Sequence, residues 1–489
     1  MNLRKGSPIN VLLIIHIISI ILLFEGLFML LALAIAIYDR EPDTIQFAMA
    51  IATTLGTSAI MYLISWKRRH QEPGTRESLV IVTIGWLFLA FFGCLPYVFT
   101  QAIPCFVDAY FESMSGFTTT GSSILTDIEA LPRSILFWRS ETHWIGGMGI
   151  IVLVVAIMPL LKMYGSQLFN LEASVVVEEK FSTKIRYVAR NIWLIYVGLT
   201  VIETFLLRLG GMNLFDSICH SFATVATGGF STKNTSITDY SPYIQYVIML
   251  FMLLSGINFV LHVLTLQGKF KRVIKNNELR FYLKIVGFIG ALLSLILFFS
   301  KDISFEKAFR DSFFQVISVI TATGFATDDY LLWPNQGIML IVLIMLIGAC
   351  AGSTGGGVKV IRHYINWQVI KRSVRQTISP NAVCNVKYNN RLLTYKQVSA
   401  VSTFILLYYG LVVLGTMSMV GLGNDWATSF GSVVTTMGGI GPGFGLVGPA
   451  SNFSMLSDVS KLLLSFTMLL GRLEIFPVLT LFTPWFWRT

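Results

Sequence analysis

Apolar residues recur along this chain in unbroken runs rather than at the spacing of an amphipathic core helix, and many runs reach about 20 residues, the length that crosses a hydrocarbon core. Ten are readable: Asn10 to Tyr38, Ile45 to Trp66, Leu79 to Thr100, Ile135 to Leu161, Ile192 to Leu209, Tyr243 to Leu266, Leu279 to Ser300, Gly337 to the 360s, Val398 to Val420 and Lys461 to Phe482. The first exceeds a signal-peptide apolar region, and no small-residue cleavage site follows it, so it reads as a mature helix. The pattern predicts an all-α polytopic membrane protein with ten transmembrane helices.

The polar stretches between runs repeat. From Asp108 the chain reads DAYFESMSGFTTTGSS, from Asp216 DSICHSFATVATGGFST, and from Asp311 DSFFQVISVITATGFAT. Thirteen residues after each Asp stands a glycine, Gly121, Gly229 and Gly324; a fourth copy, TSFGSVVTTMGGIGPGFG from Thr428, keeps the spacing with Gly441. These glycines lie 108, 95 and 117 residues apart, so one repeat holds a helix, a short segment and a second helix. The organisation expected is an N-terminal two-helix domain over residues 1–70, then pore repeats over 71–170, 171–275, 276–385 and 386–489.

About ten helix-compatible residues precede each Thr/Gly-rich end, roughly 15 Å of helix and half of a crossing. Each segment must therefore enter and return. Polar extracellular turns account for one such segment, but turns need no half-helix of constant length before them. Non-helical backbone at membrane depth survives only inside protein or beside water, so four segments in register predict four pseudo-fourfold helix/pore-loop/helix repeats around a central cation pore. A cation losing its hydration there needs oxygen, and backbone carbonyls supply it without fixed charge. Glycine admits the backbone conformations that turn carbonyls inward, threonine adds hydroxyls, and the half-helix aims its partially negative C-terminus at the cavity.

Composition supports the membrane class: 54% of residues are hydrophobic and 13% charged, with mean hydropathy +0.70. The net charge of +10 would suit nucleic acid, yet Lys and Arg gather in alternate loops, at Lys67-Arg68-Arg69, Lys180 to Arg190, Lys269 to Lys284 and Lys371 to Lys396. The charge therefore reports topology, with these loops and both termini cytoplasmic and no nucleic-acid partner. Cys94, Cys105, Cys219, Cys350 and Cys384 show no ligand spacing, so no disulfide frame, zinc or other transition-metal site is expected. No spacing sets a base beside Ser122, Ser353 or another nucleophile, which argues against an enzyme, and no nucleotide-binding glycine fingerprint is visible.

The eighth run is broken by GACAGSTGGGVK, Gly348 to Lys359, where seven of twelve residues are Gly, Ser or Thr; the helix should unwind there. A phosphate loop is rejected because Val358 separates the last glycine from Lys359. Packing through small residues stays open. The last run carries Arg472 beside Glu474, and a basic group at that depth faces a cavity or a partner. Glu25, Glu203, Glu141 and His143 read as helix-to-helix hydrogen-bonding groups, and Glu112 is left without a role.

With TTTGSS at Thr118 to Ser123, ATGGFST at Ala226 to Thr232, TATGFAT at Thr321 to Thr327 and GGIGPG at Gly438 to Gly443, the chain resembles the Trk/Ktr/HKT superfamily of potassium transporters, most closely its bacterial TrkH branch. The resemblance implies K+ uptake across the bacterial inner membrane, with K+ the transported ion and no cofactor bound by this chain. It implies a selectivity filter of Thr119, Thr120 and Gly121; Thr227, Gly228 and Gly229; Ala322, Thr323 and Gly324; and Gly439, Ile440 and Gly441. It implies a gating loop of Gly348, Ala349, Cys350, Ala351, Gly352, Ser353, Thr354, Gly355, Gly356 and Gly357, with Arg472 facing the pore beside it as an electrostatic barrier. The partners implied are the lipid bilayer, a second copy in a homodimer, and a cytosolic TrkA-like ring that binds NAD or ATP. A KtrB-like transporter and an ion-coupled symporter are the alternatives. The two added N-terminal helices oppose the first, and repeats that all begin on the same side oppose the second.

Overall fold

The computed structural model describes residues 9–68, 73–152, 181–382 and 384–487. Among them, six helices are long and apolar enough to cross a membrane: Val11–Tyr38, Thr44–Ser65, Thr75–Phe99, Ala189–Leu209, Asn277–Ser300 and Tyr395–Gly421. The remaining runs behave differently. Tyr243 to Leu266 is two helices, Pro242–Ser255 and Phe259–Leu266, bent by 98°. The apolar run is continuous, but Asn258 ends one direction and starts another, its side-chain oxygen capping Val260 N at 2.9 Å. The eighth run is a short helix, Asn335–Met345, then irregular backbone, then Val360–Ile378. The tenth is Asp458–Arg472 followed by Phe476–Leu481. The fourth is helical from Arg133 to Val152; its expected end at Leu161, like Arg69 and Lys180 of the expected cytoplasmic loops, lies outside the described residues.

Four short helices stand between the spans: Phe106–Phe117, Leu214–Val225, Phe305–Ile320 and Trp426–Gly438. We call them pore helices 1 to 4. At 12, 12, 16 and 13 residues they run about 18–24 Å, too short to cross. Side-chain caps start three of them, from Asn213, Ser304 and Asp425, and all four end on buried residues.

Packing closes these helices into a ring. Each pore helix lies against its own repeat's first helix and against the second helix of the repeat before: pore helix 2 on Arg133–Val152, pore helix 3 on Pro242–Ser255, and pore helix 4 on Asn335–Met345. Pore helix 1 completes the circle against Asp458–Arg472 of the last repeat. Helix Val11–Tyr38 packs outside this ring on Thr75–Gly93 and Arg133–Val152, with Thr44–Ser65 beside it. The one β-hairpin among the described residues pairs Lys387 with Leu392 and Tyr388 with Arg391; its two-residue turn, Asn389 and Asn390, holds both residues at positive φ, as such tight turns require.

Candidate functional site

Beyond each pore helix the backbone follows one rule. Residues two before and at the repeat glycine have positive φ: Thr119 and Gly121, Thr227 and Gly229, Ala322 and Gly324, Gly439 and Gly441, while the residue between each pair does not. Alternating handedness turns successive peptide planes the same way, so carbonyls line one face of an otherwise irregular strand. Left-handed Thr119, Thr227 and Ala322 carry a steric penalty that glycine avoids, and their recurrence at one repeat position marks a shape held by its surroundings.

The four strands meet. A Cβ added to Gly121 would strike the carbonyl oxygen of Gly228, one on Gly229 that of Thr323, and one on Gly324 that of Ile440. On Gly441 it would approach the Thr120 carbonyl oxygen at 3.0 Å, which returns to the first repeat. All four glycines also line one cavity of about 210 Å³, together with Arg139 and Lys233. The structure thus brings the four repeat glycines and the residues before them, Thr120, Gly228, Thr323 and Ile440, to one throat, each repeat touching the next. The threonine hydroxyls look more to the wall than expected: Thr118 donates to the Met114 carbonyl at 2.6 Å and pairs with Thr120 at 2.8 Å, and Thr321 repeats both contacts with Ile317 and Thr323.

Behind the throat lies a polar frame. Thr232 donates to Asp216 at 2.7 Å and Thr327 to Asp311 at 3.2 Å, each from 16 residues further on, so the repeat Asp fastens the segment leaving the throat. Where the fourth repeat has Thr428 instead, its hydroxyl accepts from Leu446 N at 3.0 Å. In the first repeat Glu112 does this work, accepting from Ser123 and Ile124 N, each at 3.0 Å. Glu112 also pairs with buried Arg139 at 2.6 Å, and Arg139 donates to the Ser231 carbonyl at 2.9 Å in the second repeat. Asp108 instead pairs with Lys461 of the last repeat at 2.5 Å. His143 stacks on Phe230, with ring centroids 4.0 Å apart, and its ring fills the space a Gly228 side chain would need. At the mouth, Asn234 donates to Asp127 at 3.0 Å, which holds that exposed carboxyl below its usual range and keeps it anionic.

Beneath the throat, Gly348 to Lys359 is unwound as the sequence predicts. Gly348 N donates to the Val358 carbonyl at 2.8 Å and Val360 N to Ala349 at 3.0 Å, which pinches the segment into a closed loop. Its tip touches three pore-helix ends. The Thr354 hydroxyl donates to the Val225 carbonyl at 3.1 Å; a Cβ on Gly355 would press on the Thr321 carbonyl oxygen at 2.6 Å; one on Gly356 would meet the Gly438 oxygen. Its sides are tied down, with Cys350 N donating to the Gly256 carbonyl at 3.1 Å, Phe259 N to Gly352 at 3.0 Å, and Ala351 N to the Glu278 carboxylate at 2.7 Å.

Arg472 is buried and reaches across. Its guanidinium donates at 2.9 Å to the Thr354 carbonyl of the loop and at 2.9 Å to the Gly146 carbonyl of the first repeat. Glu474 does not pair with it: that carboxylate accepts from Arg362 at 2.5 Å. Sequence reasoning missed Arg139, Lys461 and Arg362 as structural cations. A charge inside or at the edge of an apolar run was the available signal for all three.

Four glycine-lined strands thus meet in a ring over a tethered loop. The sequence profile of TrkH, a cation transport protein, matches residues 45–488. The chain belongs to the TrkH family. It is 38% identical over 476 residues to the Trk system potassium uptake protein TrkH of Escherichia coli K12, covering 96% of this chain and 97% of that one. The TrkH of Halomonas elongata is 35% identical, with 97% and 99% covered. The crystal structure of the potassium transporter TrkH from Vibrio parahaemolyticus superposes with a TM-score of 0.89 at 32% identity, covering 98% of this chain and all of that one.

Proposed function

We propose that this chain takes up K+ across the bacterial inner membrane through a gated, channel-like pore. The observation that carries the reading is the closed ring of contacts among Gly121, Gly229, Gly324 and Gly441, which offers uncharged carbonyls to a dehydrated monovalent ion. The relatives named for potassium uptake supply the ion. Thr119 to Gly121, Thr227 to Gly229, Ala322 to Gly324 and Gly439 to Gly441 form the filter in this reading. Residues 71–170, 171–275, 276–385 and 386–489 are its four repeats.

The loop Gly348 to Gly357 is the gate, and Arg472 keeps it shut in two ways. Its charge repels cations below the filter, and its two hydrogen bonds fasten the loop to the first repeat. Opening needs a force from elsewhere. The cytoplasmic basic loops are docking surfaces for a TrkA-like ring that binds NAD or ATP, and the chain works as a homodimer with both termini cytoplasmic. Rubidium uptake into proteoliposomes, with potassium and sodium as competitors, tests the reading on wild type and Gly229→Ser. Potassium should compete at least tenfold better than sodium in wild type and lose that advantage in the variant; equal competition in wild type would overturn the assignment of the ion.

A further inference from the structure

Outside the pore, a groove of about 470 Å³ runs between the helix that ends at Leu209 and the bent helix Phe259–Leu266. Leu194, Leu199, Ile202, Val263 and Leu266 give it an apolar floor, while Asn191 and Gln267 stand at its polar end. Leu194 and Ile202 are each 53% exposed and Leu266 78% exposed, the first two on the apolar helix Ala189–Leu209, which is long enough to cross a membrane, and the third at the end of the bent helix. The charge at the polar end has one sign. Lys269 Nζ donates to Gln267 Oε1 at 2.8 Å, exposed Lys271, Arg272 and Lys275 follow, and no acidic residue occurs between Gly256 and Asn277. Phe270 and Ile274, 56% and 63% exposed, place this basic turn at an interface, since apolar side chains beside lysines anchor there.

We propose that this groove holds one anionic phospholipid, an acyl chain along Leu199, Ile202 and Val263 and the phosphate against Lys269, Lys271 and Arg272. Apolar length with a cationic end matches that ligand and disfavours a zwitterionic one, whose own ammonium would meet the lysines. The site bears on the gate. The junction Gly256–Asn258 from which the grooved helix starts is bonded to the gate loop through Cys350 N to Gly256 and Phe259 N to Gly352, and a Cβ added to Gly352 would meet the Asn258 amide at 3.0 Å. A lipid that fixes the grooved helix therefore fixes one edge of the loop.

Phosphatidylglycerol is the probe. Wild type taken from vesicles of equal phosphatidylglycerol and phosphatidylcholine into mild detergent should retain one phosphatidylglycerol per chain in native mass spectra. Gly198 lines the groove and a Cβ there meets nothing within 4 Å, so Gly198→Trp starts from open space and puts its ring in the groove. It should lower retention at least tenfold with an unchanged thermal midpoint, and Lys269→Gln/Lys271→Gln/Arg272→Gln should lose the preference over phosphatidylcholine. Equal retention by Gly198→Trp, or equal retention of both lipids by wild type, overturns the site. A benzoylphenylalanine at position 198 should crosslink to phospholipid on illumination; crosslinks to residues 153–180 or to a second copy would give the groove to those occupants instead. Rubidium flux through wild type should change with phosphatidylglycerol content and flux through Gly198→Trp should not; identical responses break the link to the gate.

Discussion

A single methyl group tests the throat at each of its four corners. At Gly121, Gly229 and Gly324 an added Cβ runs into the next repeat's carbonyl oxygen, whereas at Gly441 its nearest atom is 3.0 Å away. Every corner also has positive φ, which costs a side-chain-bearing residue about 1–2 kcal/mol. Alanine at 121, 229 or 324 must therefore displace the next repeat's carbonyl as well, and at 441 it need only bear the strain and shift its neighbours by a few tenths of an ångström. Rubidium uptake should fall at least tenfold in Gly121→Ala, Gly229→Ala and Gly324→Ala and distinctly less in Gly441→Ala; a uniform loss would show that strain alone governs the filter. Arg472 offers a second residue-scale test, because lysine keeps the charge but cannot bridge the Thr354 and Gly146 carbonyls together. A hydrogen bond from a charged group contributes roughly 1.5–3 kcal/mol. Basal flux should rise about tenfold or more in Arg472→Ala and by less, but measurably, in Arg472→Lys. A lysine variant as tight as wild type would leave charge as the whole barrier.

Between elements, the frame rather than the throat carries the stability. Glu112 and Arg139 have side chains only 0% and 3% exposed, and breaking a buried pair from one side costs about 3–5 kcal/mol because the partner stays charged and dry. Glu112→Ala should lower the thermal midpoint in detergent sharply, and Glu112→Gln/Arg139→Gln should lower it by less than the two single changes added; additive losses would mean the pair acts separately. This frame also marks where sequence reading ran out. The meeting of the four glycine segments was legible because that geometry needs glycine at fixed spacing, and the unwound loop because seven small or hydroxylated residues crowd one apolar run. Arg139 and Lys461 were visible as charges but not as partners, since Glu112 lies 27 residues from one and Asp108 353 residues from the other. The 98° bend at Gly256–Asn258 was hidden because hydropathy stays high on both sides of it; only Asn258, a helix-starting residue inside an apolar run, betrayed it.

At the scale of the whole molecule, the direction of the repeats bears on how the ion moves. The four pore helices enter in the same sense, each wedged against the preceding repeat, so their partially negative ends converge on one axis. Secondary transporters that alternate access are commonly built from inverted repeats that rock about a central site, whereas parallel wedges with the ring closed by Asp108 and Lys461 leave no half-molecule free to rock. In the proposed reading the moving part is the loop under the throat, and moving a plug would admit ions down their gradient without fixing a ratio to any other ion. With the gate relieved by Arg472→Ala, the reversal potential should follow the potassium gradient alone. Imposing one pH unit across the membrane should leave it in place, whereas obligatory cotransport of one proton per potassium would shift it by about 30 mV, half of the ~59 mV that a tenfold gradient sets for one charge. A shift of that size would assign the closed ring to a coupled cycle and remove the loop as the sole moving part.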